Sequence, residues 1–162
     1  MPNATYSQGE FAMIYDRQVD TVYRVCYSFM KNRTEAEDMT QETFLHLLSC
    51  DKQFDNPRHE KAWLIVTASN VCKDSLKKWW RKAENLEDFQ SLAADDNTGN
   101  RDVMEALMSL KKDYKTAVYM YYYEGYSTAE IAVALGCQET TVRSRLSRAR
   151  KQLKTLLGGD AG

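Results

Sequence analysis

Apolar side chains recur every three or four positions along most of this chain, which is the period of a helix with one buried face. Glycine is absent between Gly9 and Gly99, and Pro57 is the only proline in that stretch. Because both residues interrupt helices, so long a run without them predicts helices that are joined by short loops. The pattern therefore predicts an all-α fold.

Two amphipathic helices are predicted first. One runs from Ser7, which has the spacing of a capping box with Glu10, to about Lys31, and Thr34 with Glu37 predicts the start of the next. The side of the second helix that should face the first carries Ala36, Thr40, Thr43, Phe44 and Leu47. Another side carries Asp38, Gln41, Glu42 and Leu45. This second side is either solvated surface or a docking face with an apolar anchor.

A third helix is predicted after a loop over residues 51–56, with Asn56 as its cap and Pro57 in its first position. It should end near Lys82 and bury Leu64, Ala68, Val71, Cys72, Ser75 and Trp79. The opposite stripe holds Trp63, Thr67, Asn70, Asp74, Lys77, Lys78 and Arg81, with Lys73 beside it. Cations with an aromatic suit single-stranded nucleic acid, whose phosphates meet Lys or Arg and whose bases stack on rings. Packing of Trp63 against a neighbouring helix is the equal alternative.

The middle of the chain differs in composition from the helical segments before it. Residues 84–100 are acidic and contain small residues, which favours a linker with at most a short helical piece near residues 86–92. A short helix over residues 102–109 should follow. The next helix begins at Tyr114, carries Ala117, Val118, Tyr121 and Tyr122 on one side, and ends at Glu124 and Gly125. Its tyrosine run is expected to pack in a core.

The last part predicts two helices around a tight turn. Ser127 and Glu130 form a capping box, and Gly136 ends the first helix, which buries Ile131, Ala132 and Leu135. The second helix has one apolar stripe: Val142, Leu146, Ala149, Leu153 and Leu156. Its other sides hold Thr140, Arg143, Ser144, Arg145, Ser147, Arg148, Arg150 and Lys151. The pair matches a helix-turn-helix that reads a major groove, although basic terminal helices also occur as solvated or membrane-surface segments.

The net charge of −1 conceals an alternation along the chain. Residues 61–83 hold six basic side chains and one acidic one, and residues 138–162 hold six and two. Residues 1–60 and 84–102 are acidic, with net charges of −4 and −5. Two basic blocks separated by acidic ones predict two nucleic-acid contacts, with an acidic surface left for another partner.

Several function classes are disfavoured. The sequence contains neither a long apolar run nor a signal-peptide pattern, so a cytoplasmic location is expected, where thiols stay reduced. Four cysteines without a C-x-x-C motif predict free thiols and no metal site: Cys26, Cys50, Cys72 and Cys137. Two histidines without a supporting motif and no phosphate-binding glycine loop argue against an enzyme, and no cofactor is expected.

Three segments resemble bacterial sigma factors of the sigma-70 family. The helix by which these factors grip the core RNA polymerase clamp is similar to EAEDMTQETFLHLL. The helix that meets the promoter −10 element looks like KAWLIVTASNVCKDSLKKWWRK, and the domain that reads the −35 element resembles YYYEGYSTAEIAVALGCQETTVRSRLSRARKQL. The resemblance covers about residues 10–157 in the family's order. With only these two domains, the chain resembles the extracytoplasmic-function (ECF) group.

This resemblance implies two small helical domains, 7–83 and 101–158, joined by an acidic linker at 84–100. It implies binding to core RNA polymerase and promoter DNA, and sequestration by an anti-sigma factor is a further possibility. The polymerase-binding residues would be Asp38, Gln41, Glu42 and Leu45. The −10 residues would be Trp63, Asn70, Lys73, Lys77, Lys78 and Arg81. The −35 residues would be Thr140, Thr141, Arg143, Ser144, Arg145, Arg148 and Lys151.

Some positions depart from the family pattern. Leu110 and Lys111 stand where a Leu-Pro pair is usual, Gln138 where Ser or Pro is usual, and Thr140 where a small residue is common. These departures concern the −35 sequence and leave the fold prediction intact. The alternative function is a helix-turn-helix regulator without polymerase, whose N-terminal domain dimerises or senses a ligand. Such a protein should bind DNA by itself as a dimer.

Overall fold

The computed structural model describes residues 6–50, 52–86 and 112–156. The chain divides into two compact units, residues 1–95 and residues 96–162, and each is described by itself. All regular secondary structure in the described ranges is helical, which confirms the all-α prediction. None of these helices is both long and apolar enough to cross a lipid bilayer.

The N-terminal unit contains α1 (Gln8–Met30), α2 (Arg33–Ser49) and α3 (Pro57–Leu86). The capping box predicted for α1 is confirmed: Ser7 Oγ accepts from the Glu10 N–H, and Glu10 Oε1 accepts from the Ser7 N–H. The helix ends at Lys31, whose left-handed backbone (φ 65°) is uncommon for a residue other than glycine. Two residues, Lys31 and Asn32, separate α1 from α2.

The predicted start of α2 is wrong. Asn32, not Thr34, caps the helix, and its Oδ1 accepts from the Glu35 N–H at 2.8 Å. Asn32 has the extended backbone of a cap residue (φ −150°, ψ 152°), and asparagine is among the strongest N-caps. Thr34 and Glu37 consequently lie inside the helix rather than at its start.

The predicted start of α3 is confirmed, because Asn56 Oδ1 accepts from the His59 N–H at 2.9 Å and Pro57 occupies the first position. The helix continues to Leu86, past the predicted end near Lys82. Residues 84–86 of the predicted linker therefore belong to α3. The rest of that linker and the predicted helix over 102–109 lie outside the described residues.

The three helices pack against one another and share one core. The buried side of α2 is the predicted one: Ala36, Thr40, Thr43, Phe44 and Leu47. On α3, Leu64, Ala68 and Cys72 are buried, whereas Val71, Ser75 and Trp79 are only half-buried. Ile65 is fully buried, although the predicted stripe omitted it. Because α3 packs against both α1 and α2, it buries a wider stripe than a helix with a single neighbour.

A buried glutamate joins α1 to α3. Glu60 is 4% exposed, and each of its oxygens accepts a hydrogen bond from the Arg17 guanidinium at 3.0 Å. Gln18 Nε2 donates to Glu60 Oε1 at 2.8 Å. Glu60 also lies in the first turn of α3, where the helix dipole favours negative charge. These partners offset the cost of removing a carboxylate from water.

The cysteines carry free thiols, with Cys26 and Cys72 buried and Cys50 and Cys137 half-buried. A hydrogen bond with Cys72 lowers the pKa of Cys26, and this effect outweighs burial, which acts to raise it. Among the described residues, no group of three His, Cys, Asp or Glu side chains lies close enough together to hold a metal ion.

The C-terminal unit contains α4 (Lys112–Val118), a π-helix (Tyr119–Tyr123), α5 (Thr128–Leu135) and α6 (Glu139–Leu156). The continuous α-helix predicted up to Glu124 is therefore wrong in its second half. The Glu124 N–H donates to the carbonyl of Tyr119, five residues back, at 3.2 Å, which is the bond of a π-helix. The wider turn changes which side chains face the core.

The tyrosine run is consequently divided between core and surface. Tyr119 is buried, as expected, together with the neighbouring Met120. Tyr121, Tyr122 and Tyr123 are exposed, so the prediction that they pack in the core is wrong. The 3.6-residue period that placed Tyr121 and Tyr122 on the buried side does not hold through a π turn.

The predicted helix-turn-helix is confirmed in α5 and α6. Ser127 and Glu130 form the capping box of α5, and Gly136 ends it with a left-handed backbone (φ 70°). Ile131 and Ala132 are buried, whereas Leu135 is half-buried. The α6 stripe buries Val142, Leu146 and Ala149, with Leu153 half-buried. The side chain of Leu156 lies outside the described residues.

Candidate nucleic-acid interface and docking face

The docking face of α2, defined as Asp38, Gln41, Glu42 and Leu45, is exposed at every position. Leu45 is 60% exposed, and Leu48, one helical turn later, adds a second apolar side chain at 38%. The sequence prediction missed Leu48, although its spacing of three from Leu45 was visible. Two exposed leucines beside carboxylates form an apolar anchor with an acidic rim, which is the composition of a protein-binding surface.

The basic stripe of α3, defined as Trp63, Thr67, Asn70, Lys73, Asp74, Lys77, Lys78 and Arg81, lies outside the buried core. Asn70, Asp74, Lys77, Lys78 and Arg81 are exposed, and Trp63, Thr67 and Lys73 are half-buried. Three exposed cations within five residues on one helix give this stripe a positive charge that Asp74 only partly offsets. The stripe can therefore attract phosphates along the last third of α3.

Trp63 packs against an aromatic side chain of the preceding loop. The ring centroids of Phe54 and Trp63 lie 5.7 Å apart at 52° between planes. Aromatic pairs at this distance stabilise each other beyond their buried area. No periodic pattern marks Phe54 in the sequence, because this residue lies in a loop.

The loop that carries Phe54 is held at both ends. Tyr6 Oη donates to the carbonyl of Lys52 at 2.9 Å, and Asn56 caps α3. Burial, assisted by nearby negative groups, raises the pKa of Tyr6, so its phenol stays protonated and remains a donor. A cavity of about 260 Å³ lies between this loop and the start of α1, with Glu10, Arg17 and Glu60 in its wall. Its two carboxylates disfavour a phosphate there.

The reading face of α6 is defined as Thr140, Thr141, Arg143, Ser144, Arg145, Arg148 and Lys151. Thr140, Arg143, Arg148 and Lys151 are exposed, and Thr141, Ser144 and Arg145 are half-buried. The opposite stripe is packed against the rest of the unit. A helix that is buried on one side and cationic on the other can lie in a major groove, which admits one helix.

Two hydrogen bonds orient arginines of α6. Glu139 Oε2 accepts from Arg143 Nη2 at 3.0 Å and from Thr128 Oγ1, in α5, at 2.6 Å. Arg150 Nη1 donates to Tyr122 Oη at 2.8 Å, so an exposed tyrosine of the π-helix meets the recognition helix. The i, i+4 spacing of Glu139 and Arg143 was visible in the sequence, but the contact with Thr128 depends on the turn between the helices.

Comparisons with known proteins match both units to regions of the same protein family. The family model "Sigma-70 region 2" matches residues 14–82, and "Sigma-70, region 4" matches residues 100–153. The chain is 32% identical to RNA polymerase sigma factor SigV of Bacillus subtilis, over 83% of each protein. It is 33% identical to the ECF RNA polymerase sigma factor SigE of Mycolicibacterium smegmatis, over 87% of this chain but only 59% of that relative's length.

Two solved structures share the fold. CnrH in complex with the cytosolic domain of CnrY has a TM-score of 0.68 at 26% identity, covering 95% of this chain and 91% of that one. The sigma factor RpoE in complex with the anti-sigma factor NepR, from Bartonella quintana, has a TM-score of 0.68 at 22% identity. That match covers 93% of this chain and 98% of RpoE.

Proposed function

The chain belongs to the ECF group of the sigma-70 family of RNA polymerase sigma factors, and from this premise we propose that it binds core polymerase and directs it to promoters. The observation that carries the proposal is the exposed cationic side of α6, on a helix-turn-helix whose other side is packed. The N-terminal unit adds two further exposed surfaces, one acidic and one basic, on separate helices.

The docking face of α2 is the proposed contact with core polymerase. Leu45 and Leu48 supply apolar area that is left in water in the free protein, and Asp38 and Glu42 supply a negative rim. Burial of two exposed leucines gives affinity, whereas the carboxylates steer association with a basic partner surface. The sequence resemblance of this helix supports the same assignment.

The basic stripe of α3 is the proposed contact with the −10 element. Lys77, Lys78 and Arg81 would meet phosphates, and Asn70 is exposed about two to three turns earlier, where it can reach a base edge. Lys73 lies between these two groups. The packing of Trp63 on Phe54 favours a supporting role for its ring, as a wall against which an unstacked base can rest.

The reading face of α6 is the proposed contact with the −35 element. Thr140, Arg143, Ser144 and Arg148 lie within the first ten residues of the helix, and recognition helices meet base edges with their N-terminal part. Thr141 and Arg145 lie beside them, and Lys151 follows them along the helix. The flanking cations Arg145, Arg150 and Lys151 would contact phosphates and add affinity without sequence information.

We also propose that an anti-sigma factor binds this chain, and that the chain does no chemistry of its own. Two proteins with the same fold were solved in complexes, RpoE with an anti-sigma factor and CnrH with part of CnrY. An exposed apolar anchor such as Leu45 can serve polymerase and a competing protein in turn. The family consists of polymerase subunits rather than enzymes, which supports the second statement.

The proposed function is tested by reversing the charge of the docking face. Asp38→Lys with Glu42→Lys should weaken binding to core polymerase at least tenfold, because the acidic rim would then repel a basic partner. The matched control is Asp16→Lys with Asp20→Lys, an exposed acidic pair at the same spacing on α1. Binding is measured at moderate salt, and promoter-directed transcription is measured with the same holoenzymes.

Equal core affinity in the two double variants would contradict the docking assignment. A chain that binds promoter DNA as a dimer and never associates with core polymerase would instead support the regulator alternative.

A further inference from the structure

The recognition helix begins with an acidic side chain on an otherwise cationic surface. Glu139 is the one acidic residue of α6, which also carries four arginines and two lysines. An anion beside a DNA-binding surface repels phosphates, so its presence lowers affinity unless it does something else. Its side chain is 38% exposed, so the carboxylate remains in contact with water.

The geometry around Glu139 links the two helices of the helix-turn-helix. One carboxylate oxygen, Oε2, accepts two hydrogen bonds, from Thr128 at 2.6 Å and from Arg143 at 3.0 Å. The first bond comes from α5 and the second from one turn further along α6. A hydroxyl that donates to a carboxylate at this distance makes a strong, charge-assisted bond. Thr128 therefore fixes the carboxylate, and the carboxylate fixes the guanidinium.

Stability gives little reason for this arrangement. An exposed glutamate and arginine at i, i+4 stabilise a helix only slightly. The contact matters more for the orientation of Arg143 than for helix stability. An arginine recognises guanine through two parallel donors whose direction must match the base edge. One Nη2 donor is engaged by Glu139, and the planar group is thereby oriented before DNA arrives. Preorganisation of this kind reduces the entropy lost on binding.

We propose that Glu139 is a positioning residue that sets the −35 base preference through Arg143, and that the Thr128 hydroxyl holds it in place. This inference rests on the proposed function, because it assumes that α6 reads the −35 element. It assigns sequence selectivity to two side chains outside the predicted reading face. Thr128 acts without touching DNA.

The competing explanation is that Glu139 only complements the dipole of α6. An acidic residue in the first turn stabilises a helix whatever lies in the groove. That explanation predicts that changes at Thr128 or Glu139 shift binding to every −35 sequence by the same factor. Positioning predicts a change confined to the base positions that Arg143 reads.

The test is binding of holoenzyme to a library of −35 variants, with Arg143→Ala as the reference that identifies the base positions concerned. Thr128→Val removes the hydroxyl and keeps the shape, and it should reduce discrimination at those positions about fivefold, the lower end of one base contact. Glu139→Gln should reduce discrimination at the same positions. This variant replaces Thr128→Val in the test if the valine variant folds poorly. Thr128→Ser restores the hydroxyl and should restore the wild-type preference.

Thr155→Val is the matched control, because the Thr155 hydroxyl donates to the backbone carbonyl of Lys151 in its own helix. This control should leave the preference unchanged. A uniform shift across the library, or an unchanged preference in both Thr128→Val and Glu139→Gln, would overturn the inference while the proposed function stands. A wild-type holoenzyme without any −35 preference would overturn both.

Discussion

Arg17 and Glu60 in the N-terminal unit and Arg143 and Glu139 in the C-terminal unit form ion pairs with the same chemistry and the same 3.0 Å contact. Their surroundings differ. The Glu60 side chain is 6% exposed and its partner is 43 residues away on another helix, whereas Glu139 is 38% exposed and lies four residues from Arg143.

The difference in burial means that the two ion pairs contribute differently to folding. In the N-terminal unit an ion pair joins two helices and is part of the fold, because an unpaired buried carboxylate would be costly. In the C-terminal unit an exposed pair contributes little to folding, so its arginine is available for a ligand. The same pair of residue types thus serves stability in one unit and, under the proposed function, recognition in the other.

The largest expected effect is on the stability of the N-terminal unit. Arg17→Ala leaves Glu60 buried without its cation and should cost about 2 kcal/mol, less than a fully buried pair because Arg17 is partly exposed. All three tryptophans, Trp63, Trp79 and Trp80, belong to this unit, so their fluorescence in urea follows its unfolding alone. A lower midpoint with an unchanged slope is expected.

The control for this change removes both charges. Arg17→Met with Glu60→Met leaves no unpaired charge, and Gln18 Nε2 keeps its bond to the Pro57 carbonyl, so the double variant should recover part of the loss. If Arg17→Ala changes the midpoint no more than an ordinary surface substitution does, the buried pair does not hold α1 to α3.

A second expected effect separates the cations of the C-terminal unit by what they contact. Arg148→Ala should cost about 1 to 3 kcal/mol at the preferred −35 sequence and relax the preference at one or two positions. Lys151→Ala should weaken all sequences alike and lower the salt slope by about one. The measurement is holoenzyme binding to −35 variants at two salt concentrations. Equal, sequence-independent losses for both variants would refute the division along α6.

The smallest expected effect sharpens the contrast between the two ion pairs. Arg143→Ala removes the exposed pair and should change the unfolding free energy of the C-terminal unit by no more than about 0.5 kcal/mol. Circular dichroism during thermal unfolding measures this change. Tryptophan fluorescence in the same experiment identifies the transition of the N-terminal unit, and the remaining helical signal belongs to the C-terminal unit. A loss comparable to that of Arg17→Ala would show that exposure does not separate the two pairs.

Local signals in the sequence predicted some helix ends correctly. Ser7, Ser127 and Gly136 act within one turn of their own position, so a short motif contains the whole cause. The start of α2 was misplaced because Asn32 and Thr34 are both suitable caps, and the chain uses Asn32, directly after the left-handed Lys31. Backbone conformation at one residue was not readable from side-chain type.

Contacts between distant residues were not predictable in the same way. The bonds of Glu60 with Arg17 and Gln18 depend on how α1 and α3 dock, and the bond of Glu139 with Thr128 depends on the turn after Gly136. The candidate surface residues were predicted as exposed because they lie outside the apolar stripes of their helices. Their assignment to polymerase or to a promoter element came from the family resemblance, since packing does not constrain a surface side chain.

The π turn at Tyr119–Tyr123 has a consequence for how this sequence is aligned with others. A π turn holds one residue more than the α-helical ladder requires, so the apolar pattern on either side of it has two different phases. An alignment that forces one helical phase through Tyr119 would pair exposed tyrosines with buried positions. A single-residue gap inside a helix, usually penalised as an error, is the physically correct treatment at this place.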